Sequence, residues 1–64
     1  MNKQTNHSFV IPLEFLPQTL SFLNENDYQI DKDQSDLSLG FFTLNIPQNE
    51  IPSIIDFVQE IKQL

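Results

Sequence analysis

The sequence predicts an α+β fold of element order β-α-β-β-α, with a three-stranded, antiparallel-containing sheet and two helices packed on one of its faces. Three observations carry this expectation. Two stretches place apolar residues at helical spacing, Leu16, Leu20 and Leu23 in one and Ile54, Val58 and Ile61 in the other. Short β-branched, aromatic or alternating runs lie outside them. A strand end, an Ile-Pro step and a helix start recur 35 residues apart.

The polar leader, residues 1–7, is expected to be flexible. Residues 8–64 then form a single domain. Ser8-Phe9-Val10-Ile11 reads as a strand that Pro12 ends. The first helix starts near residues 15–17, with Pro17 in its first turn, where a missing N–H costs nothing. It stops in the polar stretch Asn24-Glu25-Asn26-Asp27. Tyr28 to Lys32 alternates as a second strand, and Asp33-Gln34-Ser35-Asp36 makes a turn from residues that bond their own backbone. Leu37 to Ile46 reads as a third, longer strand. Leu37 and Leu39 are out of phase with Phe42, Leu44 and Ile46, and the only glycine, Gly40, lies between them. A β-bulge at Gly40-Phe41 would bring both groups to one face. The second and third strands are expected to pair as a hairpin. Pro47 ends the third strand, Asn49 is a candidate N-cap and Pro52 fits the first turn of a helix running to or near the C-terminus.

Residues 10–25 and 45–60 form the echo. Ile11/Ile46, Pro12/Pro47, Pro17/Pro52, Phe22/Phe57 and Glu25/Glu60 are identical, and Leu16/Ile51, Leu20/Ile55 and Leu23/Val58 exchange one apolar residue for another. The first Pro of each unit stops a strand and the second opens a helix. The two units should therefore share local geometry.

Composition narrows the function classes. With 64 residues, the chain buries roughly 60% of its unfolded surface, so its core is marginal. The absence of Cys excludes a disulfide framework and a thiolate metal site. Nine acids against three Lys and no Arg give a net charge of −6, unsuited to phosphate neutralisation or an anionic membrane surface. A basic protein surface would attract such a chain. The polar N-terminus lacks the apolar stretch of a signal peptide, so a cytoplasmic protein is expected.

Catalysis finds little support. The single His, His7, lies in the expected leader, and a domain of this size has little room for a cleft that would tune a carboxylate pair. Asp31-Lys32-Asp33-Gln34-Ser35 opens like a calcium loop, but the Gly and Glu positions hold Asp36 and Phe42. No Gly-rich phosphate loop is present. The expectation is a non-enzymatic protein without cofactor or metal.

Glu25, Asp27, Asp31, Asp33 and Asp36 remain as a partner-binding acidic patch. They suit a basic protein groove that normally holds nucleic acid, such as that of a nuclease, which the protein would block. Small acidic phage anti-defence proteins, antitoxins and immunity proteins work in this general way. The alternative is a structural homo-oligomer or accessory subunit whose acidity serves solubility alone. A homodimer is expected in either case, because Phe9, Tyr28, Phe41 and Phe42 exceed what two short helices cover. The seam would then be the strand over Leu37–Ile46 or its open face.

Overall fold

The structure, a computed structural model, describes residues 3–63. Five principal elements occur in the expected order: β1 (Gln4–Val10), α1 (Leu16–Glu25), β2 (Gln29–Ile30), β3 (Phe41–Pro47) and α2 (Ile51–Lys62). Short 3-10 turns precede both helices and β3. The sheet has the order β1-β3-β2, and both pairings are antiparallel.

The alternation of β3 explains the layering. Phe42, Leu44 and Ile46 share one face and are essentially inaccessible. They form one cluster with Ile11, with Leu23 from α1 and with Ile54 and Val58 from α2. Both helices therefore lie on the same face of the sheet. The opposite face carries Phe41, Thr43 and Asn45, with Ser8 and Val10 beside them in the register. Thr43 is nonetheless buried, because the loop after β2 folds back over it. Ser35 Oγ accepts the Thr43 N–H at 2.8 Å, and Thr43 Oγ1 donates to the Gln34 carbonyl at 2.9 Å.

The two units of the echo do share local geometry. Pro12 has φ −62° and ψ 140°, and Pro47 has φ −59° and ψ 141°. Each leads into a 3-10 turn, after which the Leu16 N–H donates to the Leu13 carbonyl and the Ile51 N–H to the Gln48 carbonyl. The likeness extends to the tertiary level. In the β1–β3 ladder Ser8 faces Thr43, its own equivalent 35 positions later, and their hydroxyls bond at 2.9 Å. His7 faces Leu44 and Phe9 faces Phe42, a pair of pairs that also interchange under the same offset. The ladder thus has a local two-fold axis between Ser8 and Thr43. On the helix side, the equivalent residues Phe22 and Phe57 stack at 4.0 Å and 8°.

Several expectations are corrected. β1 begins at Gln4, so residues 4–7 of the expected flexible leader are strand, and His7 lies half-buried beside Phe9. Residues 1 and 2 lie outside the described residues. The β1–β3 ladder supplies the pairing that makes residues 4–7 extended, a long-range effect that polarity conceals. The third strand begins at Phe41, and Leu37–Leu39 form a 3-10 turn. The register runs unbroken from Val10 to Gln4, so Gly40 makes no bulge. Gly40 instead takes φ +72°, and a Cβ there would collide with the Ile11 carbonyl oxygen. Asn49 lies inside a 3-10 turn and does not cap α2. β2 and β3 do pair, over Gln29 and Ile30 alone. β3 is the central strand, which removes its edges as a dimer seam. Phe42, expected at the self-association surface, is 0% exposed in the core.

Candidate docking site around the Phe22–Phe57 stack

The site begins at the end of α1. The Tyr28 N–H donates to the Leu23 carbonyl at 2.9 Å and the Asp27 N–H to the Asn24 carbonyl at 3.2 Å. This paired closure puts Asp27 at the left-handed position, with φ +56°. The turn aims Tyr28 back at the helices. Its ring lies 5.9 Å from that of Phe22, and its hydroxyl donates to Glu50 Oε2 at 2.9 Å. Burial raises the Tyr28 pKa above its ordinary value, and the hydrogen bond to Glu50 and its negative charge add to the rise. A hydrogen bond with Ser53 partly offsets them. Tyr28 therefore remains a neutral donor across the physiological range.

Two grooves flank the aromatic stack. One, of about 400 Å³, is lined by Phe22, Tyr28, Glu50, Ser53, Asp56, Phe57 and Glu60. The other, of about 430 Å³, is lined by Pro17, Gln18, Ser21, Phe22, Glu25 and Phe57. The local two-fold relates them: Gln18 answers Ser53, Ser21 answers Asp56 and Glu25 answers Glu60. A third groove, of about 500 Å³, continues past Tyr28 and Glu50 to Asp27 and the end of β3. No lysine lines any of the three. Carboxylates beside aromatic faces suit ammonium and guanidinium groups, through charge and through the ring quadrupole.

The five acids expected as one patch separate into two groups. Glu25 and Asp27 border these grooves. Asp31 and Asp36 have local duties in the loop between β2 and β3. Asp31 Oδ1 accepts the N–H groups of Asp33 and Gln34 at 3.1 and 3.3 Å. Asp36 Oδ1 accepts the Ser38 N–H at 3.2 Å and the Ser38 hydroxyl. Asp33 is exposed on the same loop. Sequence reasoning missed Glu50, Asp56, Glu60, Phe22 and Phe57 as site residues. A signal was present: Ser53, Asp56, Phe57 and Glu60 fall at i, i+3, i+4 and i+7, one helical face. Of the aromatics expected at a self-association surface, Tyr28 belongs to the grooves. Phe9 stacks on Phe42 at 5.2 Å, and Phe41 is half-buried on the sheet's other face.

Among the described residues, no group of three or more His, Cys, Asp or Glu could hold a metal ion. Among them, too, no helix is long and apolar enough to cross a membrane. No family model, curated protein or solved structure matches the chain.

Proposed function

We propose that the protein is a non-enzymatic docking module that presents the Phe22–Phe57 face to a basic surface of a partner protein and blocks it. A nuclease or another nucleic-acid enzyme has a surface of the required sign. The observation that carries this reading is the convergence of Glu25, Glu50, Asp56 and Glu60 on grooves beside an aromatic stack, with no lysine in their lining. Charge of that sign steers encounter, and the rings supply contact area once water is displaced.

The proposed contact differs from a patch on the loop 31–36, whose Asp31 and Asp36 hold backbone. The test is titration of the labelled protein with an arginine-rich peptide, monitored by amide chemical shifts at low and high salt. Shifts centred on Phe22, Tyr28, Phe57 and Glu60 and lost at high salt are expected. Asp56→Asn with Glu60→Gln should weaken binding, mainly through the on-rate. Shifts spread evenly over every acidic residue, unaffected by that pair of changes, would leave the charge with solubility as its only role.

A further inference from the structure

We infer that the outer edge of β1 is a strand-pairing surface, and that its occupant is β1 of a second copy of the chain. The local two-fold shows what the edge lacks. In the β1–β3 ladder the odd residues of β1 are the hydrogen-bonded ones. The ladder's ends show it: the Gln48 N–H donates to the Lys3 carbonyl and the Ile11 N–H to the Gly40 carbonyl. The backbone groups of Gln4, Asn6, Ser8 and Val10 therefore point away from β3. The equivalents of Asn6, Ser8 and Val10 in the second unit are Phe41, Thr43 and Asn45, and each of these is covered. Phe41 bonds Asp36, Thr43 bonds Asp31 and Ser35, and Asn45 pairs with Gln29. Among the described residues no strand occupies the matching place beside β1.

Charge identifies the occupant. A second copy also carries −6, so it is tolerated only where acids are absent. Every acid of the chain lies at or after Glu14, and β1 has no acid, no lysine and no proline. Those are the devices by which edge strands avoid one another. The opposite edge, β2, is two residues long and lies between Asp27 and Asp31.

Antiparallel pairing centred on His7 uses the whole strand. Gln4 then faces the second copy's Val10, and Asn6 faces its Ser8, so all four outward residues find donors and acceptors. Thr5 faces Phe9 on the helix side, and each His7 faces its own copy as a non-hydrogen-bonded pair. Val10, 52% exposed, gains cover. Two three-stranded sheets become one of six strands.

The test uses the full chain. Sedimentation equilibrium should show the mass moving from 7.5 kDa toward twice that value as concentration rises. Added salt should strengthen association, because it screens like charges beyond roughly 8 Å at physiological ionic strength. Docking onto a basic partner has the opposite salt dependence, so the two readings fail separately. Asn6→Pro removes an outward N–H and leaves the β1–β3 ladder intact; it should be monomeric with an unchanged circular dichroism spectrum. His7→Cys reports the register without relying on that variant. Opposed non-hydrogen-bonded positions lie at disulfide distance, so it should cross-link under mild oxidation far faster than Lys32→Cys on the other edge. A wild-type protein that stays monomeric at hundreds of micromolar in high salt would overturn the inference. So would a dimer that survives Asn6→Pro, or equal cross-linking rates at positions 7 and 32.

Discussion

The strand–helix unit over residues 8–25 and its counterpart over residues 43–60 share a backbone path but not an environment. Both pass from strand through Pro and a 3-10 turn into a helix with Pro in its first turn. Both bury a residue at the third helical step from that turn, Thr19 in one and Ile54 in the other, each 0% exposed. The Thr19 hydroxyl is satisfied within its own helix by the Phe15 carbonyl at 2.9 Å. The units differ in the chain beyond each helix and in the cover on each strand. After α1 the chain turns through Asp27 and Tyr28, lays down β2 and returns as a loop over Thr43. That insertion covers the outer edge of β3, and among the described residues nothing equivalent covers β1. The difference shows how one local code can produce a closed half and an open half. It also breaks the symmetry of the two grooves, because only the α1 exit supplies a tyrosine and only the α2 entry supplies Glu50.

The comparison breaks most readily in the core. Leu23 and Val58 are equivalent and both buried, at 2% and 7% exposure. Leu23→Ala should cost about 3 kcal/mol and Val58→Ala about 2 kcal/mol, since fewer buried methyl groups are removed. Urea denaturation should give one shared transition for each variant. Two separated transitions would mean that the halves fold independently and that the shared cluster does not bind them.

The insertion is tested next. Gly40→Val combines a left-handed φ with a collision against the Ile11 carbonyl. A loss of about 2–3 kcal/mol is expected, beyond the ~1 kcal/mol of an ordinary glycine replacement. A neutral result would show that the return into β3 relaxes easily.

Tyr28→Phe sharpens the contrast between the grooves. It removes one hydrogen bond to a carboxylate in a partly exposed setting and should cost about 1 kcal/mol at neutral pH. The sign of its pH dependence comes from linkage. Tyr28 holds its proton more tightly when folded, so its contribution is complete below the ordinary tyrosine range. It is lost as pH rises through the raised folded value, above about pH 10. Wild-type stability should fall there more steeply than that of Tyr28→Phe, as read by denaturant midpoints at alkaline pH. Parallel curves would remove Tyr28 from the titration.

The smallest effect concerns the α1 exit. Asp27→Gly relieves a non-glycine left-handed residue and removes a negative charge from a helix C-terminus. A gain of about 0.5–1 kcal/mol in thermal or urea unfolding is expected. Destabilisation would mean that the Asp27 carboxylate holds the turn in a way its backbone alone does not.

What the sequence by itself determined is what short range can encode. The apolar spacing of Leu16, Leu23, Ile54 and Val58 specified two amphipathic helices, and the paired prolines marked their starts. The duplicated Ile-Pro steps specified equal local geometry, because Pro sets φ wherever it stands. The acidic balance was legible as a sign, without a place. Tertiary structure decided the rest, because pairing partners lie far apart in the chain. Residues 4–7 read as a polar leader and became strand only through β3, whose residues 44–47 lie about forty positions later. Leu37 and Leu39 looked like strand residues out of phase. The close approach of Gly40 to Ile11 ended that strand at Phe41 and made them a turn. Glu50, Asp56 and Glu60 joined Tyr28 only when α2 packed beside α1 and stacked Phe57 on Phe22. Periodicity assigns a residue to a face of its own element, but which faces meet depends on how the whole chain closes its core.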